Sequence, residues 1–207
     1  MIYLSDDYFD KYVYVFGYLF SRSIFENYTF DSIQKTIAYS KIADELESSN
    51  ITTIAFSSSE SIYRMLFPEH DNEGYSYNPY DQFGWLGYLY VHLFLKFNLT
   101  FELLFIILPI EKALNMYRLY HEMDIEQSYK YFESLVHYSY LDNIMDYRKI
   151  STEELSRISG LSFNTLKMIR YNKRDISKTE SQNLYRLSRV LNVKMTTLIT
   201  NLELKVH

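Results

Sequence analysis

Cysteine is absent from this chain. That excludes a disulfide framework, a thiolate zinc site and a cysteine nucleophile, and it fits a reducing cytoplasm, the expected location. Glycine and proline are scarce, 5 and 3 in 207 residues. Such counts disfavour disorder, collagen-like repeats and turn-rich all-β folds. No basic start leads into an apolar stretch with a small-residue cleavage site, so no signal peptide is expected. No apolar run reaches the roughly 20 residues of a membrane span: Lys96, Asn98 and Glu102 interrupt the stretch from Phe83 to Ile110. Glycine-rich phosphate loops and nucleophile elbows are missing. His121-Glu122 lacks the second histidine of a metalloprotease helix, since position 125 is Ile. His70, His92, His121 and His137 have no metal-ligand spacing. Arg118 and His121 stand too close for the Arg/His pair of helical ribonucleases. Neither an enzyme, a metal site nor a cofactor is therefore expected.

Hydrophobic residues make up 47% of the sequence, enough for a sizeable core in one large or two small domains. Tyr 22 and Phe 14 are high counts, consistent with AT-rich coding bias or with a sticky interaction surface. Net charge is −5, and it is unevenly spread. Residues 141–207 hold 12 Lys+Arg against 7 Asp+Glu, and residues 1–140 hold 9 against 19. An acidic front and a basic back suggest two domains with different partners. The basic part can meet phosphates.

Apolar spacing predicts helices over 5–27 and 31–48, the second ended by the Ser48-Ser49-Asn50 cluster. The β-branched stretch from Ile51 to Phe56 reads as a short strand. Ser57 with Glu60 forms a capping box for a helix through Leu66. Residues 68–79 read as a loop, and two core helices follow, broken at Asn98-Leu99-Thr100. Pro109 suits the first turn of the next helix, Ile110 to Glu122. Asp124 caps a helix through about Tyr140.

The back of the chain carries the most specific pattern. Ser151 and Glu154 form a capping box, and Leu155 with Ile158 give the helix an inward face. Gly160 supplies the permissive backbone of a tight turn, Leu161 plugs it, and Ser162 caps a second short helix backed by Leu166 and Ile169. Ser177 with Glu180 opens another helix, buried through Leu184, Leu187 and Leu191, and Leu198-Ile199 close the core. This is a helix-turn-helix plan, whose second helix enters the DNA major groove. Its expected DNA-binding residues are Ser162, Phe163, Asn164, Thr165, Lys167, Arg170, Lys173 and Arg174. Asn suits adenine and Arg suits guanine, Phe163 suits a thymine methyl, and Lys173 and Arg174 suit phosphates.

The stretch Glu154-Leu-Ser-Arg-Ile-Ser-Gly-Leu-Ser, with Thr165-Leu, Asn172-Lys-Arg-Asp-Ile-Ser-Lys and Leu184-Tyr-Arg-Leu-Ser-Arg-Val-Leu-Asn-Val, resembles the Xre family of lambda-repressor-like regulators. The resemblance covers about 55 residues and implies a five-helix DNA-binding domain. Asn172 stands where the family usually has glycine, and Ser156 and Ser188 stand where it usually has alanine. Asn also tolerates a left-handed backbone.

Farther forward, Phe83-Gly-Trp-Leu-Gly-Tyr-Leu-Tyr, Phe101-Glu and Met116-Tyr-Arg-Leu-Tyr-His-Glu-Met-Asp124 resemble a Firmicute family encoded beside predicted ADP-ribosyltransferase-like toxins. That resemblance implies an antitoxin whose front domain holds the toxin, with Trp85, Tyr88, His121 and Glu122 as partner-binding residues. The residues themselves leave toxin binding, ligand sensing and dimerisation open. The expected architecture is mainly α: a helical domain over 1–140, with room for one short strand pair, then the helix-turn-helix domain over 141–207. The expected partners are a double-stranded DNA operator, a protein toxin and a second copy of the chain, with no membrane.

Overall fold

The computed structural model describes residues 6–48, 52–68 and 75–200. It divides into two compact units, Met1–Lys130 and Tyr131–His207. The division lies ten residues ahead of the expected 140/141 boundary. Every regular element among the described residues is helical.

In the first unit, α1 (Asp6–Phe25) packs along α6 (Gln82–Phe97). The crossing is close because glycines meet there. A Cβ on Gly87 would stand 2.5 Å from the Gly17 amide nitrogen and from the Val13 carbonyl oxygen, so any larger residue would force the two backbones apart. Around this pair sit α2 (Phe30–Ala38), α3 (Lys41–Glu47), α4 (Thr52–Phe56), α5 (Ser59–Leu66), α7 (Phe101–Ile107) and α8 (Ile110–Tyr120). Helix α9 (Ile125–Leu135) contains the division between the units. Much of the aromatic surplus lies in this core. Phe101 stacks between Phe16 and Phe94 at 4.7 and 4.9 Å, and Tyr90 meets Phe20 and Phe105 at 5.5 and 5.1 Å. The buried Tyr90 hydroxyl donates to the Leu108 carbonyl at 2.6 Å, which meets the polar demand of its ring. Other aromatics, among them Tyr14, Tyr39, Phe56 and Tyr80, remain exposed.

Several expectations are corrected here. Residues 52–56 form helix α4, not a strand; Ile51, with Ser49, Asn50 and the 69–74 part of the expected loop, lies outside the described residues. Helix α4 is tied by polar contacts: the nearly buried Glu45 carboxylate accepts from the Thr53 amide (2.9 Å) and hydroxyl (2.7 Å). The single helix expected over 31–48 is two, because Ser40 caps α3 by accepting from the Ala43 amide at 3.1 Å. Helix α5 is capped by Ser58 rather than Ser57. Glu60 instead pairs with Arg22 and Arg64. Arg22 is itself buried, held by Glu26 at 3.0 Å, and Tyr63 donates to Glu26 at 2.8 Å.

No single described helix is long and apolar enough to cross a membrane. Helices α6 and α7 meet that test only together, and they bend 111° between them. The bend follows from Asn98 in the left-handed region (φ 50°) and from the Thr100 hydroxyl capping the Leu103 amide.

The second unit contains α10 (Tyr140–Arg148), α11 (Thr152–Ser159), α12 (Phe163–Arg170), a 3₁₀ turn over Ile176–Lys178, α13 (Ser181–Leu191) and α14 (Met195–Ile199). Its five α-helices are thus α10 to α14. The expected helix through Tyr140 stops at Leu135 instead. Asn143 closes the connection, donating to the Leu135 carbonyl (2.9 Å) and accepting from the His137 amide (3.0 Å), while Ser139 caps α10. The core comprises Leu141, Ile144, Leu155, Leu166, Ile169, Leu187, Leu191 and Leu198. Ile158 and Ile199, both expected inside, are exposed. Helix α11 turns Thr152, Leu155 and Ser159 inward instead, and Ser159 satisfies its hydroxyl on the Leu155 carbonyl at 2.6 Å. Ser177 does not open α13. It lies in the 3₁₀ turn, where its amide donates to Asp175 at 2.9 Å, and Glu180 precedes α13 without a side-chain cap bond.

Candidate nucleic-acid interface

The turn between α11 and α12 is built from short-range chemistry. Gly160 sits at φ +74°, and its amide donates to the Ser156 carbonyl at 3.0 Å. That left-handed cap ends α11. The Ser156 hydroxyl donates to the Leu161 carbonyl at 2.6 Å, giving the serine a role that alanine would not have. Leu161 is buried under the turn. Ser162 then accepts from the Thr165 amide at 3.1 Å and donates to the Thr165 hydroxyl at 2.8 Å, starting α12.

Helix α12 is two-faced. Leu166 and Ile169 are buried, whereas Phe163, Asn164, Lys167, Met168 and Tyr171 form one exposed stripe. At about 100° per residue these five positions span less than half of the helix circumference. The stripe offers an amide, an ammonium and three apolar or aromatic surfaces. It can therefore make both hydrogen bonds and methyl contacts at base edges. Met168 and Tyr171 belong to it, and their spacing of four from Asn164 and Lys167 is the sequence signal that marks them.

Beyond the helix, Asn172 takes φ 54°. The amides of Lys173 and Arg174 both donate to the Met168 carbonyl, at 2.8 and 3.1 Å. The chain turns sharply here, and the Lys173 and Arg174 side chains are exposed. Residues 131–207 hold 12 basic and 8 acidic residues, so this unit alone carries the positive balance.

Arg170 does not belong to the exposed set, contrary to expectation. Its guanidinium Nε donates to Asp142 Oδ1 at 2.5 Å and its Nη1 donates to the Thr152 hydroxyl at 3.0 Å. Its backbone carbonyl accepts from the Ser139 hydroxyl at 2.7 Å. Asp142 is buried, with 5% of its side chain exposed against 24% for Arg170. Burial by itself would lower the Arg170 pKa, but the hydrogen bond and charge of Asp142 raise it above the ordinary value. The residue thus ties the end of α12 to α10 and α11. His137, Asp142 and Asp146 could present ligand atoms to a metal ion, but Arg170 already sits on both carboxylates, at 2.5 and 3.7 Å.

The residues expected to bind a partner lie in the first unit. Trp85, Tyr88 and His121 line one cleft of about 270 Å³, together with Pro79, Tyr80, Asp81 and Tyr117. Glu122 is outside that lining, with its side chain 87% exposed and 3.5 Å from His121 Nε2. His92 is separate, accepting or donating on Tyr129 at 2.8 Å among aromatic rings. His70 lies outside the described residues.

No curated protein and no solved structure matches the chain. Residues 140–201 match the family model described as the Cro/C1-type HTH DNA-binding domain. The matched span opens at the first residue of α10 and supports the reading of these residues as the DNA-binding part of an Xre-type transcriptional regulator.

Proposed function

We propose that the chain is a DNA-binding antitoxin and autorepressor, which holds a protein toxin through its N-terminal unit and represses its own operon through its C-terminal unit. The observation that carries the DNA half is the exposed stripe of α12, backed by Leu166 and Ile169 and started by the Ser162 cap. In the major groove, Asn164 and Lys167 read base edges, Phe163 packs on a thymine methyl, and Lys173 and Arg174 hold phosphates. Ser162 and Thr165 spend their hydroxyls on each other, so their part is to set the start of the helix. One recognition helix covers a half-site, so the operator is read by a homodimer with half-sites a helical turn apart. The protein acts in the cytoplasm and needs no cofactor.

The toxin half rests on the resemblance around Phe83–Asp124 and on the acidic, aromatic character of the N-terminal unit. A ligand-responsive repressor is the second reading, favoured by the cleft beside Trp85. The tagged chain expressed from its native operon separates the two. A stoichiometric companion that is toxic when made alone supports the antitoxin reading, whereas a chain that purifies by itself overturns it in favour of the sensor. Loss of binding to the chain's own upstream region in Asn164→Ala tests the DNA half.

A further inference from the structure

The cleft of the N-terminal unit has a specific chemistry. Trp85 and Tyr88 rise from α6, Tyr117 rises from α8, and His121 is the C-cap of α8. The Trp85 and Tyr117 rings meet edge to face at 5.7 Å, and the His121 ring stacks on Tyr117 at 4.4 Å. Tyr80 stands over the rim with 91% of its surface exposed. Asp81 places a carboxylate at the edge, anchored by accepting from the Phe83 and Gly84 amides at 2.8 and 3.2 Å. Among the described residues, neither Lys nor Arg lines the cleft. The surrounding unit, residues 1–130, holds 18 acidic against 9 basic residues.

Phosphates and carboxylates are poor occupants of such a place, having neither Lys nor Arg to meet among the described lining residues and an acidic unit to repel them. Aromatic faces attract cations through the ring quadrupole. A planar guanidinium exploits this best, because it stacks on rings and is weakly hydrated. We propose that this cleft binds a guanidinium group, seated among the Trp85, Tyr88 and Tyr117 rings and charge-paired with Asp81. The proposal deepens the partner-recognition reading, and rests on it only for the source of the group: an arginine side chain of a protein partner, or free arginine.

Trp85 is the sole tryptophan of the chain, so its emission reports occupancy directly. The full-length protein is titrated with N-acetyl-arginine amide, with free arginine and with the neutral N-acetyl-citrulline amide. A saturable change with a millimolar midpoint is expected for the guanidinium probes and none for citrulline. The blocked amide binding more tightly than free arginine assigns the site to a side chain in a polypeptide; the reverse order assigns it to the free amino acid. Asp81→Asn keeps an N-cap of equal quality and removes the charge, so it should weaken binding about threefold to fivefold, as a partly exposed ion pair allows. Tyr117→Leu keeps apolar bulk and removes the ring, and should weaken it further. Equal binding of citrulline, no saturable change with either guanidinium probe, or unaltered affinity in both variants overturns the proposal. None of these results bears on whether a toxin co-purifies, so failure here is distinguishable from failure of the antitoxin reading.

Discussion

Replacing Arg170 with alanine separates two roles that one residue type can play on a recognition helix. As a base reader, Arg170 would lose specific affinity and leave stability intact. As an internal tie, it would lose stability first. Its geometry supports the second role: Nε to Asp142 at 2.5 Å, Nη1 to Thr152 at 3.0 Å, and only 24% of the side chain exposed. Removing it leaves the Asp142 carboxylate buried, with His137 Nδ1 at 3.7 Å as its remaining basic neighbour. Breaking a fully buried pair costs about 3–5 kcal/mol, and a charge-assisted hydrogen bond alone contributes about 1.5–3 kcal/mol. The partial exposure of Arg170 puts the expected loss at the lower edge, about 2–3 kcal/mol. For a unit of this size that lowers the melting temperature by about 10–20 °C. Calorimetry or circular dichroism of the full chain reads it, since the C-terminal unit should melt early. Asp142→Asn in the Arg170→Ala background should recover part of the loss, because the uncompensated charge is then gone. If Arg170→Ala melts with the parent and instead changes which base is preferred at one operator position, the pairing with Asp142 is not what Arg170 does.

Four further outcomes follow from the same geometry. Asn164→Ala should cost about 1–3 kcal/mol at the specific site and relax preference at one base position, measured by binding to a panel of single-base variants. Lys173→Ala should weaken all sequences alike and reduce the slope of log K against log salt by about 0.9. Gly87→Ala should destabilise the N-terminal unit by about 2–3 kcal/mol, because the new methyl meets backbone of α1 and not a movable side chain; unchanged melting would mean that α1 and α6 do not cross so closely. Burial holds His92 down at a pKa of about 4, against 6.5 for the free side chain. The unfolded state therefore takes up a proton between these values that the folded state refuses. Stability of the N-terminal unit is full above about pH 6.5 and falls as pH drops towards 4. His92→Gln should flatten that part of the melting-temperature profile, and an unchanged profile would assign the acid sensitivity to other groups.

The helix-turn-helix was legible because it is made of short-range chemistry. Ser151, Gly160 and Ser162 each act on residues within five positions of themselves, and such contacts show in spacing. Leu155, Leu166 and Ile169 were placed by period alone. Where period and chemistry conflicted, chemistry won. Ile158 fits an apolar stripe, yet Ser159 takes the inward position because its hydroxyl can be satisfied on the Leu155 carbonyl. The β-branched stretch from Ile51 to Phe56 suggests a strand, but the Glu45 carboxylate, eight residues before Thr53, accepts from the Thr53 amide and hydroxyl at the start of a helix.

Arg170 marks where such reading stops. It follows Phe163 by seven positions, which at about 100° per residue returns it almost to the azimuth of that exposed ring. Periodicity therefore assigns the two to one face. The distinction is made by Asp142, 28 positions earlier, on a helix that the apolar pattern did not reveal. A buried carboxylate facing the end of α12 gives a long cation a partner inside the fold, while Asn164 and Lys167 stay on the exposed stripe. The cleft of the N-terminal unit arises the same way. Trp85 and Tyr88 are one turn apart on α6, but Tyr117 and His121 reach them only because α8 packs alongside. The residue types were visible in the sequence. That they converge on one carboxylate-edged aromatic cleft, with neither Lys nor Arg among the described residues of its lining, is a property of the packing, and it is the packing that points to a guanidinium.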